Sequence, residues 1–207
     1  MKKISPTKVL ALAVLAGSMS YASLANAANK RGFHSTLSAP ATSVKINVTL
    51  SDDLIYRADN VSPRISDRRG SRSLKNGFTS RGIYGERDLN QLVDRLERKM
   101  DTYLEKYGVE VSEDATTVLN LVITDVDNNR PTFAQLSNSP SLSFRSFGNG
   151  GADLDGTLTR DGQDLGSVSY SWHENDIRNA GFGGTWQDAN RAIDRFARRT
   201  AKALAAN

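Results

Sequence analysis

Asp125, Asp127 and Asn129 occupy the first, third and fifth places of "DVDNNRPTFAQL", the spacing that begins an EF-hand calcium loop. Such a loop then requires glycine at the sixth place and glutamate at the twelfth. The chain has Arg130 and Leu136 there, and a guanidinium at the sixth place repels a metal ion. The stretch reads instead as a strand end, where Asn and Asp side chains bond their own backbone and turn the chain. Pro131 holds Arg130 in an extended conformation. Arg130 is then a candidate to bridge Asp125 or Asp127 with its planar fork, or to contact an anionic ligand directly.

Histidine is scarce, with His34 near the start and His173 at the end of a strand-like run. His173-Glu174 has no second histidine nearby, so a zinc site would depend on carboxylates alone. A catalytic triad would need His173 as base, an acid such as Asp176 and a serine, and no G-x-S-x-G elbow supplies one. With no cysteine in the chain, thiol chemistry and disulfides are excluded. Asp153 with Asp125 or Glu174 is an imaginable carboxylate pair for cleaving a glycoside, although acids at strand ends are ordinarily solvated. "GGADLDG" occurs once, and calcium-binding glycine-aspartate repeats depend on stacked copies. "GFGGTW" precedes a helix and lacks the lysine of a phosphate loop. No metal site and no cofactor motif is expected.

The aromatic loop "PTFAQLSNSPSLSFRSFGNGG" carries Phe133, Leu136, Leu142, Phe144 and Phe147. Either these fold back as a cover over the sheet or some form a patch for a partner.

The elements that position these residues follow from periodicity. Val44, Ile46, Val48 and Leu50 alternate with polar residues and predict a strand with one wet face. Leu89, Leu92, Val93, Leu96, Met100, Tyr103, Leu104 and Tyr107 form one apolar stripe on a helix of about five turns, capped by Gly108. "TTVLNLVITDV" is apolar on both parities, as expected of an interior strand covered on both faces. "ADLDGTLTRDGQDLGSVSYSW" predicts a hairpin turning at Asp161-Gly162, with Val168, Tyr170 and Trp172 on one face. A last helix follows Thr185, with Asp188 three residues on as a capping-box variant. Trp186, Ala189, Ile193, Phe196, Ala197, Thr200 and Leu204 make its buried stripe. The order β-α-β-β-β-α implies an α/β (α+β) two-layer sandwich: a mixed, mostly antiparallel sheet of about four strands with two helices on one face. One domain spans 42–207, with long loops at 51–87 and 127–151.

"MKKISPTK", "VLALAVLAG" and "LANA" are the charged, apolar and small-residue regions of a bacterial signal peptide, with cleavage expected after Ala27. Its apolar run is about half the length that spans a bilayer, and no transmembrane segment is predicted. Lys2, Lys3 and Lys8 leave with it and no acid does, so 27 basic and 23 acidic side chains reduce to a net of +1. Nucleic-acid binding loses its support. Residues 28–41 show no period and read as a flexible lead-in. Residues 57–87 are rich in arginine and read as a loosely held basic loop, a candidate contact for phosphate-bearing lipids or polyanions.

Three stretches, "DVDNNRPTFAQL", "SLSFRSFGNGGADLDG" and "TWQDANRAIDRFARR", resemble a group of secreted proteobacterial proteins of unknown function. The shared pattern falls on Asn129, Arg130, Pro131, Thr132, Gly150, Gly151, Trp186, Asp188 and Ala189. The resemblance implies an envelope address and the same α/β layout, and brings no activity. These readings point to a non-catalytic periplasmic protein that binds an envelope protein or an anionic envelope component through its long loops. The candidate contacts are Asp125, Asp127, Arg130, Phe133, Phe144, Phe147, His173 and Glu174. The alternative is a carboxylate-dependent hydrolase of an envelope polymer, which would gather at least two of Asp125, Asp153, His173 and Glu174 in one concave pocket.

Overall fold

The computed structural model describes residues 31–61, 78, 82–179 and 183–205. The signal peptide expected over 1–27 and most of the basic loop 57–87 lie outside them. In chain order the elements are β1 (Gly32–Ser35), β2 (Ser43–Leu50), α1 (Asp52–Tyr56), α2 (Glu86–Lys106), β3 (Glu110–Val111), β4 (Thr117–Asp127), α3 (Phe133–Asn138), β5 (Gly151–Arg160), β6 (Gln163–His173) and α4 (Gln187–Ala205), with a 3-10 turn over Ile177–Asn179. They form one mixed sheet in the order β1-β6-β5-β4-β2-β3. Strand β2 runs parallel to β3 and β4, and the other neighbours are antiparallel.

The class is α/β, but among the described residues the sheet has six strands rather than four, and there are four helices rather than two. The additional elements are short. Strand β1 falls within the lead-in and pairs Gly32 with Ser171 and Ser35 with Val168. Strand β3 has two residues, both exposed. Helix α1 is a single turn whose cap, Ser51, accepts from the Leu54 amide. Helix α3 begins with a capping box between Thr132 and Gln135.

Helices α2 and α4 lie side by side on one face of the sheet. The α2 stripe buries Leu89, Leu92, Leu96, Met100 and Leu104, while Val93, Tyr103 and Tyr107 pack at its margin. Helix α4 buries Ala189, Ile193, Phe196, Ala197, Thr200 and Leu204. Beneath them the sheet supplies Leu119, Leu121, Ile123, Leu154, Leu158, Val168 and Tyr170. Each large apolar side chain buried this way contributes about 1.5–3 kcal/mol relative to exposure. The β5–β6 turn sits at Asp161 (φ 50°) and Gly162 (φ 80°), two successive left-handed residues as a tight hairpin requires.

One irregularity decides where the strand-end acids point. Between Ile123 and Asp125 the β4–β5 register slips by one residue, so Ile123 opposes Leu154 and Asp125 opposes Asp153. A bulge of this kind reverses which parity faces which side. Upstream of it the odd residues Leu119, Leu121 and Ile123 face the helices; downstream it is Val126 that is buried. Asp125 and Asp127 are thereby turned onto the opposite face, in line with Asp153. The apolar residues on both parities of β4 therefore reflect this reversal together with Val118 and Val122 on a half-buried polar face. A second layer of helices is not their cause.

Candidate functional site at the strand-end corner

The C-terminal ends of β2, β4 and β6 and the start of β5 meet at one end of the sheet. The pairings Asp127–Gly151–His173 and Asp125–Asp153–Ser171 form two rungs there. Asp125, Asp127, Asp153 and His173 thus come together on the face away from the helices.

His173 is clamped between two carboxylates. Its Nδ1 lies 3.1 Å from Asp127 Oδ2 and its Nε2 lies 2.9 Å from Asp153 Oδ1. Burial opposes the imidazolium, but the hydrogen bonds and charges of Asp127 and Asp153 outweigh it and push the pKa up to about 9. At neutral pH the ring is a cation held on both nitrogens, so it has no lone pair with which to act as a base. Ser171 Oγ donates to Asp153 Oδ1 at 2.6 Å. The carboxylate therefore stands between hydroxyl and imidazole, whereas nucleophile activation needs the imidazole in the middle. The trio is an ion cluster that fixes the ends of β4, β5 and β6 to one another.

A pH dependence follows. The folded pKa of His173 lies above its ordinary value of 6.5, so its contribution is complete below that value and is lost as pH rises toward 9. Stability should fall by on the order of 2 kcal/mol across this interval. In the His173→Gln variant the fall should vanish, as read by urea melts at pH 6, 7.5 and 9. An equal decline in parent and variant would show that another group controls it. On the same face, burial and the neighbouring Asp153 charge push Asp155 up to about 6.

Asp125 takes a partner that the sequence did not suggest. Arg57, only 3% exposed, reaches Asp125 Oδ1 at 2.7 Å and Asp53 Oδ2 at 2.9 Å. It also donates to Tyr84 Oη at 3.3 Å and lies over that ring. Tyr84 in turn donates to the Val126 carbonyl at 2.9 Å and meets Trp186 edge-on. Arg57 was hidden in the arginine-rich run 57–87, where composition gives no reason to single out one cation.

On the helix side of the corner, Asn129 and Asp188 are both fully buried. Asn129 Nδ2 donates to Asp188 Oδ2 and to the Gly148 carbonyl, and Asn129 Oδ1 accepts from the Asp188 amide at 2.9 Å. The Gly150 amide also donates to Asp188. Asn129 therefore caps α4 from a different part of the chain, and Asp188 joins this network where a local capping box was expected.

Arg130 donates through Nε to the Gly183 carbonyl at 2.9 Å and through a terminal nitrogen to the Phe144 carbonyl at 3.3 Å. The expected bridges from Asp125 and Asp127 lead instead to Arg57 and His173. Arg130 ties the aromatic loop to the segment before α4. Glu174 turns aside and accepts from the amides of Asn175 and Asp176. Phe133 and Phe144 are 75% and 72% exposed, with ring centroids 6.4 Å apart; Phe147 is also exposed. These three do not cover the sheet.

Asp125, Asp127 and Asn129, which share the spacing of a calcium loop, thus turn to three separate partners: Arg57, His173 and Asp188. One cleft lies between α2 and α4 and another beside Pro40, Thr117 and Arg160 at the opposite end of the sheet, and neither is lined by Asp125, Asp153, His173 or Glu174.

The fold and corner together define a two-layer α/β protein with one helix-covered face and one polar face. Among the described residues no helix is long and apolar enough to cross a membrane. No protein-family pattern matches the chain, and no curated protein sequence matches it. Solved structures of similar outline include the PelC dodecamer from Paraburkholderia phytofirmans, with 10% identity, TM-score 0.41 and coverage of 80% of this chain and 96% of that one. A minor lipoprotein from Acinetobacter baumannii aligns with 12% identity, TM-score 0.34 and 80% and 94% coverage. A DUF330 protein from Xanthomonas campestris aligns with 9% identity, TM-score 0.39 and 80% and 83% coverage. Likeness at this level carries no argument about site, activity or assembly.

Proposed function

We propose that the protein is a non-catalytic binding module of the bacterial cell envelope, acting in the periplasm through its aromatic loop. The observation that carries this reading is the exposed Phe133–Phe144 pair on a rigid support. Thr132 and Gln135 close a capping box under Phe133. Gln135 also donates to the Gly82 carbonyl, and Asn128 donates to Gln135. Arg130 holds the Phe144 backbone. Two aromatic rings left in water on a fixed frame are the usual anchor of a docking surface, because the ordering entropy has already been lost in folding. From Asn128 to Ala152 the chain contains Arg130 and Arg145 and no acid, which suits an envelope partner with an apolar pocket and negative rim.

The clamped imidazolium, and a carboxylate cluster that lines neither cleft, support a binding role over hydrolysis. The test is capture from envelope extract with the parent and with Phe133→Ser/Phe144→Ser. The double variant should fold within about 0.5 kcal/mol of the parent, as exposed positions do, and should lose the captured component. Undiminished capture by the variant would remove the aromatic loop from the function.

A further inference from the structure

We propose that the cleft between α2 and α4 is a binding site for a phosphate group. Its volume is about 680 Å³, and its walls include Asp88, Arg95, Trp186, Arg191, Asp194 and Arg195, a size suited to a small ligand. Three arginines and two aspartates face it, but their charges are not equally available. Asp194 is engaged by Lys99 at 2.9 Å and by the Tyr103 hydroxyl at 3.2 Å. Asp88 accepts from Trp186 Nε1 at 3.0 Å. Asp194 is thus held by Lys99 and Tyr103, with the charge of Arg95 acting on it as well, while Asp88 keeps its negative charge.

The arginines differ. Arg191 reaches the buried Asp188 at 3.1 Å. Arg195 lies with its guanidinium 4.5 Å from the Trp172 ring centroid, a contact with a π face that leaves the in-plane N–H donors to other acceptors. Arg95 is the telling one, because its Nε is buried and meets no acceptor. A buried donor without an acceptor is costly to leave so. A ligand oxygen entering the cleft would supply the missing partner, and Arg195, which lines the same cleft, adds a second positive charge. A tetrahedral dianion presents oxygens in several directions and charge enough for two guanidinium groups, which a single planar carboxylate does not. The start of α4 borders the same cleft and adds the positive end of its dipole. The site uses neither phenylalanine of the aromatic loop.

The test is calorimetric titration of the purified full chain with sodium pyrophosphate at low ionic strength. One saturable site is expected. Arg95→Gln and Arg195→Gln should each weaken it by about tenfold or more, the usual weight of one charge-assisted contact. Arg95→Lys, which keeps charge but loses the fork, should weaken it by about threefold. Arg198→Gln changes an exposed cation on α4 that does not line the cleft, and should leave affinity within about twofold. Phe133→Ser/Phe144→Ser should bind pyrophosphate like the parent, which separates this site from the docking surface. Thermal melts accompany each variant, and if Arg95→Gln does not fold, Arg95→Lys and Arg195→Gln decide the matter. Absence of saturable heat, or an equal loss with Arg198→Gln, would overturn the proposal. Citrate binding as tightly as pyrophosphate would overturn the phosphate assignment.

Discussion

Replacing Asn129 with alanine should destabilise the protein by about 3–4 kcal/mol, in the range for breaking a buried charged network. Asn129 and Asp188 are fully buried, and the substitution deletes every side-chain bond that Asn129 makes. The Asp188 carboxylate loses a donor, its amide loses the oxygen that caps α4, and the Gly148 carbonyl loses the Asn129 amide. Asp188 keeps only the Gly150 amide and Arg191. Gly150→Ala reaches the same network sterically, since an added Cβ would lie 2.5 Å from Asn129 Oδ1. Urea denaturation of the parent and both variants measures this. A loss under about 1 kcal/mol for Asn129→Ala would mean that water replaces the amide with little penalty.

The second large effect belongs to Arg57. Arg57→Met retains the aliphatic stem and removes the guanidinium, so packing changes little while Asp125, Asp53 and Tyr84 lose their shared donor. Because Asp125 keeps some contact with water, the expected cost is about 3 kcal/mol, near the low end for a broken buried pair. Asp125→Asn should cost less, because a neutral amide still accepts from Arg57. A double variant recovering much of the Arg57→Met loss would show that the Asp125 carboxylate's loss of Arg57 is the cause. If Arg57→Met melts like the parent, the α1 turn is not secured through this ion pair.

Long periodic elements were legible in the sequence, and short ones were not. The stripes of α2 and α4, the alternation of β2 and the Asp161-Gly162 turn each rest on a repeating signal, and burial follows them. The four residues of β1 and two of β3 are too few to show a period; only pairing with distant strands defines them. For α3 a signal existed: Thr132 followed three residues later by Gln135 is a capping box, set in a loop rich in serine and aromatic residues that shows no helical period. The bulge at the end of β4 has no one-dimensional mark, so the acids' common face could not be read from spacing alone. The resemblance pattern did contain Asn129, Gly150, Trp186 and Asp188. Asn129, Gly150 and Asp188 meet at the corner because they solve one structural problem, capping a helix from a strand end, while Trp186 packs on Tyr84 and donates to Asp88.

Strand β1 also gives the molecule an order of completion. It comes first among the described strands, yet it lies against β6, so Thr36 bonds to Ser167 across 131 positions. Closing so wide a loop is slow, and four residues at a margin return little for it. The other five strands can pair before β1 does, so β1 should be the last of the described strands to be seated. By the same reasoning it is the first to detach.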